Sequence, residues 1–99
     1  MAFLFMRWKV YILFSKCLDR YYIGCTSNIN ERFDKHHSKF YGNSAFTAKA
    51  DDWQLMLSLP CLDEQQAKTI EAKIKKMKSK VYIANLIHYP EMQQKLLSY

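Results

Sequence analysis

The sequence predicts an α+β fold, a small antiparallel sheet of about three strands flanked by helices in the order β-β-α-β-α-α. Two short runs rich in β-branched and aromatic residues lie close together near the start of the chain, which is typical of a hairpin. Helical spacing of apolar residues follows, and it returns in the last third of the chain. Because 49% of the 99 residues are hydrophobic, we expect a single domain with its own core over residues 1–99.

The first two strands are predicted at residues 10–14 (VYILF) and 21–25 (YYIGC), joined by a loop at 15–20. Gly24 has no side chain to pack, so it indicates either a bulge or a close approach of a ligand to the backbone. A third strand is predicted at 53–59 (WQLMLSL), and Pro60 ends it. A loop rich in Gly, Asn, Ser and Ala, at 41–50, precedes this strand.

One helix is predicted between the second and third strands. Ser27 or Asn28 can cap its N-terminus, and Glu31 lies three residues after Asn28, as in a capping box. Its apolar stripe then ends near Gly42 and consists of Ile29, Phe33, His36 and Phe40. Arg32 and His36 lie four residues apart, so they share one side of this helix at the margin of the stripe.

The last third of the chain predicts two more helices and, after them, room for a short terminal one. Asp63 caps the first, with Gln66 three residues on, and the apolar stripe is Ala67, Ile70, Ile74, Met77 and Val81. A further helix is predicted at 80–88, and Pro90 can open a short terminal helix because proline is favoured at the first helical position.

The chain is basic, with 15 Lys and Arg against 9 Asp and Glu, a net charge of +6. Such an excess on a small domain indicates a polyanionic partner. Five lysines lie in one stretch of eight residues, in the helix that Asp63 caps and its continuation: Lys73, Lys75, Lys76, Lys78 and Lys80. They form either a solvated helix face or, with Lys16, Arg20, Lys35 and Lys39, a surface that contacts phosphates without reading sequence.

We expect a cytoplasmic protein that does not span a membrane. No signal peptide or long apolar run is visible, and the three cysteines show no C-x-x-C spacing. Reduced thiols are therefore the simpler interpretation. The alternative is a structural zinc site from Cys17, Cys25 and His36 or His37.

Five residues at characteristic spacing resemble the GIY-YIG nucleases. They are Tyr11, Tyr22 in the triplet Tyr22-Ile23-Gly24, Arg32, His36 and, on a late helix, Glu71. The resemblance covers about residues 8–88 and is closest to the small single-domain members, which resemble the amino-terminal nuclease domain of bacterial excision-repair endonucleases. In place of the first family triplet this chain has Lys9-Val10-Tyr11, which keeps only the tyrosine. Asn85 is a candidate for the asparagine that members often carry beyond the metal-binding glutamate.

The resemblance implies a metal-dependent endonuclease that hydrolyses phosphodiester bonds in DNA, with repair or recombination as the expected setting. Glu71 would bind one Mg²⁺ or Mn²⁺, and Arg32 would contact the phosphate. Tyr11 and Tyr22 would position water, while the general base is either a tyrosine or His36, whose ordinary pKa is near neutral. DNA would be contacted by Lys35, Lys39, Lys75, Lys76 and Lys78.

Two other interpretations stay open beside the nuclease: a nucleic-acid-binding module without catalysis, and the zinc-binding structural protein. No reader module accompanies the domain, so we expect that sequence specificity is low or comes from a protein partner or from the structure of the DNA. For the nuclease, we expect its five catalytic residues to converge in one shallow groove open to solvent.

Overall fold

The computed structural model describes residues 7–28 and 50–98 and confirms the α+β class. Its strands are β1 (Lys9–Ser15), β2 (Arg20–Thr26) and β3 (Trp53–Pro60), and its helices are α1 (Glu64–Met77), α2 (Lys80–His88) and α3 (Pro90–Leu97). The three described strands form one antiparallel sheet in the order β2-β1-β3. The predicted helix at 29–40 and nearly all of the predicted loop at 41–50 lie outside the described residues.

The β1–β2 hairpin has an uninterrupted register. Ser15 pairs with Arg20 across a four-residue turn, and Tyr11 pairs with Gly24. Gly24 therefore marks no bulge in this pairing. The irregularity of the sheet lies instead between β1 and β3, at Ile12 and Leu13.

The two faces of the sheet support two separate clusters, as the alternation of side chains along a strand requires. On one face, buried residues of β1 and β2 pack against α1, and this cluster includes Val10, Ile12, Ile23, Ala67, Ile70 and Ile74. The other face carries a smaller cluster of Tyr11, Leu13, Ala50 and Trp53, with Leu18 and Tyr22 packed against it. Tyr11 and Tyr22 thus lie on the face opposite α1.

Helix α1 begins as predicted. The Asp63 carboxylate accepts a 2.8 Å hydrogen bond from the Gln66 backbone N–H, and the Gln66 side chain accepts one of 2.7 Å from the Leu62 backbone N–H. These bonds satisfy two donors at the start of the helix.

The end of α1 differs from the prediction. Lys78 adopts the left-handed conformation, with φ of 48°, and its N–H bonds to the Lys75 carbonyl. Because the helix stops at Met77, the apolar stripe does not continue: Met77 and Val81 are 50% and 70% exposed. Their assignment to the stripe was wrong.

Helices α2 and α3 confirm the two remaining predictions. The Ser79 hydroxyl caps α2 by accepting a 3.1 Å bond from the Tyr82 N–H, and Pro90 opens α3. Among the described residues, no helix is long and apolar enough to cross a membrane.

Candidate active site

The hairpin brings the two predicted catalytic tyrosines together. Tyr11 on β1 and Tyr22 on β2 project from the same face of the sheet, with ring centroids 6.3 Å apart. Tyr22 also meets the ring of Trp53 edge-on at 6.4 Å. Both tyrosines have further interactions, so neither ring is held by these contacts alone.

The missing side chain at Gly24 leaves room for the Tyr11 ring. A Cβ atom at position 24 would stand 2.6 Å from the Tyr11 Cζ and closer still to the hydroxyl oxygen. Only glycine leaves this space for the ring, so the close approach predicted at Gly24 is made by a side chain of the same hairpin. Tyr11 is accordingly 1% exposed, and the prediction that it faces an open groove was wrong. Tyr22 remains half-buried.

Glu71 lies on α1, the helix that packs against the other face of the sheet. Its side chain is 19% exposed and its Oε2 is 3.0 Å from the Nζ of Lys75, one turn further on. Ile70 and Ile74 of the same helix pack in the buried cluster that includes Ile23 of β2.

A cavity of about 380 Å³ opens on the α1 side of β2. It lies between β2 and the α1–α2 turn and is called here the β2–α1 groove. Its lining residues are Arg20, Tyr21, Tyr22, Ile23, Ile74, Lys75, Lys78, Ser79, Lys80 and Ile83. Lys75, the residue that contacts Glu71, lines this groove. Tyr22 borders it as a residue of β2, but its ring packs on the opposite face of the sheet with Tyr11 and Trp53.

The other predicted site residues divide into two groups. Lys75, Lys76 and Lys78 are exposed at the C-terminal end of α1, and Lys75 and Lys78 line the β2–α1 groove. Asn85 is exposed on α2. Four residues lie outside the described part of the chain: Arg32, His36, Lys35 and Lys39.

The donor set fits a hard divalent cation held by one protein carboxylate. Glu71 offers partly exposed anionic oxygens, and magnesium commonly takes only one or two carboxylates and keeps several waters. Within residues 7–28 and 50–98, no three His, Cys, Asp or Glu side chains form a cluster that could hold a metal. A cation at Glu71 would compete with the ammonium of Lys75.

The zinc alternative is not compatible with the hairpin. Cys17 lies in the β1–β2 turn, whereas Cys25 pairs with Val10 near the other end of the strands. The two are separated by at least five strand residues, roughly 17 Å at about 3.4 Å per residue. Zinc–sulfur bonds of about 2.3 Å cannot bridge that distance.

Several residues near the site were not found from the sequence. Tyr21 and Ser79 line the groove, and Asp19 forms a 2.8 Å ion pair with Lys80 at its rim. If Ser15 is paired with Arg20 and the pairing is continued along both strands, Tyr11 lies opposite Gly24. The sequence of the hairpin could therefore have predicted this contact. The other contacts join residues far apart in the sequence and leave no local pattern.

The comparisons with known proteins agree with this arrangement at the level of the family. Residues 7–84 match the family model of the GIY-YIG catalytic domain. Neither curated proteins nor solved structures give a significant match. The matched range includes β1, β2, β3, α1 and the start of α2, and it contains the tyrosine pair and Glu71. This chain therefore belongs to the GIY-YIG catalytic domain family, which is a family of endonucleases.

Proposed function

We propose that this protein is a metal-dependent endonuclease that hydrolyses phosphodiester bonds in DNA. Membership of the GIY-YIG family, over residues 7–84, is the observation that carries the proposal. The contact of the two tyrosine rings and the basic groove beside Glu71 support it.

The tyrosines would position the attacking water. Tyr11 is fixed by its fit against Gly24 and is buried, so it would orient the ring of Tyr22 with little loss of entropy. Tyr22, which is half-buried, is better placed to touch the substrate. His36 remains the competing candidate for the general base.

Glu71 would hold the metal ion. Magnesium or manganese bound there would supply charge neutralisation at the phosphate and a more acidic water. Lys75 would give up its 3.0 Å contact with Glu71 and turn to the phosphate backbone. Arg32 would offer its planar fork to the phosphate oxygens, which is the role that the family resemblance gives it.

The protein surface would bind DNA through phosphates. Lys75, Lys76 and Lys78 are exposed on one end of α1, and Lys35 and Lys39 would add to them. Such contacts hold the substrate without reading its sequence. We therefore propose that specificity comes from DNA structure or from a protein partner.

The placement of α1 favours a second candidate, a DNA-binding module without catalysis. Glu71 belongs to a helix packed on one face of the sheet, whereas Tyr11 and Tyr22 lie on the other. The two candidates differ in one assay: purified protein incubated with supercoiled, nicked, branched and single-stranded DNA in Mg²⁺, Mn²⁺ or EDTA. A nuclease cleaves at least one substrate with metal and none in EDTA, whereas a binding module shifts DNA mobility under all conditions and cleaves nothing.

We further propose a cytoplasmic protein with a role in DNA repair or recombination. All three cysteines carry free thiols, which suits a reducing compartment. The resemblance to the excision-repair nuclease domain supports the role. Cleavage confined to intact linear duplex, with no activity on nicked, branched or damaged DNA, would argue against it.

A further inference from the structure

The β2–α1 groove has an apolar floor and a cationic rim. Ile23, Ile74 and Ile83, which line it, are at most 8% exposed, and Tyr21 is half-buried on the same face of β2 as Ile23. The four basic residues of the lining are all exposed: Arg20, Lys75, Lys78 and Lys80. Its volume, about 380 Å³, lies within the range of about 300–1,000 Å³ common for small-ligand sites.

The charges of the rim are only partly neutralised. Lys80 pairs with Asp19 and Lys75 pairs with Glu71. Within the described part of the chain, Arg20 and Lys78 have no acidic partner in an ion pair. Among the described residues, these two cations, one on β2 and one at the end of α1, are the rim charges without an ion-pair partner.

An apolar floor with a cationic rim suits a single nucleotide whose base is unpaired. A paired base in a duplex is stacked between its neighbours, so a duplex would present only phosphates to the rim and leave the apolar floor unused. A base outside the stack can lie on aromatic and apolar side chains while its phosphate meets Arg or Lys. We propose that the β2–α1 groove binds an unpaired nucleotide of the DNA strand, with Arg20 and Lys78 contacting its phosphates.

The inference rests on the proposed function, since it assumes that DNA is the partner, and it adds the class of DNA. It implies a preference for duplexes with a single-stranded tail or gap over fully paired duplexes. Because Lys75 lines the groove and contacts Glu71, the unpaired nucleotide would lie next to the candidate metal-binding glutamate.

The first test compares three DNAs by fluorescence anisotropy in EDTA, where cleavage does not interfere. One is a blunt duplex, the second adds a three-nucleotide tail, and the third carries the same tail without bases. We expect the tailed duplex to bind at least about fivefold more tightly than the abasic one, because stacking of the base is lost in the latter. Equal affinity for the normal and abasic tails would overturn the inference.

A paired variant locates the contact. Arg20→Gln with Lys78→Gly removes both unpaired cations, and glycine suits the left-handed backbone at position 78. We expect about tenfold weaker binding of the tailed duplex and a smaller loss for the blunt one. Lys68→Gln with Lys95→Gln, two exposed lysines that do not line the groove, serves as the charge-matched control. An equal loss for blunt and tailed DNA would contradict the proposed site.

Photo-crosslinking provides a test that needs no substitution. A halogenated base in the tail should crosslink to the peptide that contains Tyr21 and Tyr22. Crosslinks confined to other peptides would place the base elsewhere and overturn the inference. The outcome is independent of the nuclease proposal, since a protein that binds tails in this way without cleaving DNA would lose the enzyme assignment alone.

Discussion

The ring of Tyr11 occupies the space that a side chain at position 24 would fill, so Tyr11 and Gly24 form one packing unit across the hairpin. The glycine of the Tyr22-Ile23-Gly24 triplet is thereby explained by a neighbouring side chain and not by a special backbone conformation. The same contact holds one candidate catalytic tyrosine against the strand that carries the other.

Substitution of Gly24 by alanine should therefore destabilise the fold. The added methyl group overlaps the Tyr11 ring, and overpacking of this kind typically costs about 1–3 kcal/mol in the free energy of unfolding. Urea denaturation measures the loss. In a Tyr11→Ala background the Gly24→Ala substitution should cost much less, and an equal cost in both backgrounds would show that the ring is not the cause.

The Asp52 carboxylate should make the stability sensitive to acid. It accepts hydrogen bonds of 2.6 Å from the buried Ser15 hydroxyl and 2.8 Å from the Cys17 N–H, and these bonds lower the pKa of Asp52 below its ordinary value of 3.8. A carboxyl whose pKa is lower in the folded than in the unfolded chain stabilises the fold at pH values above its unfolded pKa. This stabilisation is lost as the pH falls through the folded value.

Thermal unfolding between pH 7 and pH 2 tests this contribution. Asp52→Asn should lower the melting temperature at neutral pH. The difference in melting temperature between this variant and wild type should shrink as the pH falls below about 3.8. Asp51→Asn, at the neighbouring position, is the matched control and should leave the wild-type profile nearly unchanged. A constant difference between Asp52→Asn and wild type across the whole range would contradict the argument.

The hairpin and the N-terminus of α1 could be predicted because their determinants are local. Strand-forming residues flank a short turn, and Asp63 precedes Gln66 by three positions. The end of α1 could not be predicted, because Lys78 adopts a left-handed conformation that is usual for glycine. Only Ser79, which caps the next helix, marked the boundary.

The long-range part of the site was predicted less well. The tyrosine pair follows from the hairpin register, but the packing of α1 on the opposite face depends on which apolar stripe meets which side of the sheet. The Ser15–Asp52 hydrogen bond joins residues separated by 37 positions and has no sequence pattern. The same holds for the β2–α1 groove, which forms where strand, helix and turn meet.

The lysines at the end of α1 should control the salt dependence of DNA binding. Replacing Lys75, Lys76 and Lys78 by glutamine should reduce the slope of log affinity against log salt by up to about three units, if each lysine contacts a phosphate. Binding is measured in EDTA on a duplex of fixed length. An unchanged slope would assign these side chains to a solvated helix face.

We expect Arg32 to contact the phosphate directly and not merely to form a structural ion pair. Arg32→Lys keeps the charge but loses the bidentate fork, so we expect cleavage to fall by about 100-fold or more while the melting temperature is unchanged. Single-turnover cleavage and thermal unfolding of the same preparations separate the two roles. Near-wild-type cleavage by a folded Arg32→Lys protein would remove Arg32 from the catalytic residues.

Glu64, on the same helix, provides a matched control for substitution of Glu71. Glu64 forms an ion pair with Lys68 at 2.8 Å, one turn away, just as Glu71 does with Lys75 at 3.0 Å. Substitution of either glutamate by glutamine breaks one such pair. Ion pairs between helical residues four positions apart are worth about 0.3–0.5 kcal/mol, so both variants should fold.

The most direct measurement is the nicking of supercoiled plasmid by wild type, Glu71→Gln and Glu64→Gln with Mg²⁺, alongside DNA affinity in EDTA. Because a neutral amide is a poor ligand for Mg²⁺, the account predicts that Glu71→Gln loses at least about 100-fold in nicking rate and binds DNA as well as the wild type. Glu64→Gln should nick at nearly the wild-type rate. Metal-dependent nicking by Glu71→Gln at the wild-type rate would contradict the account.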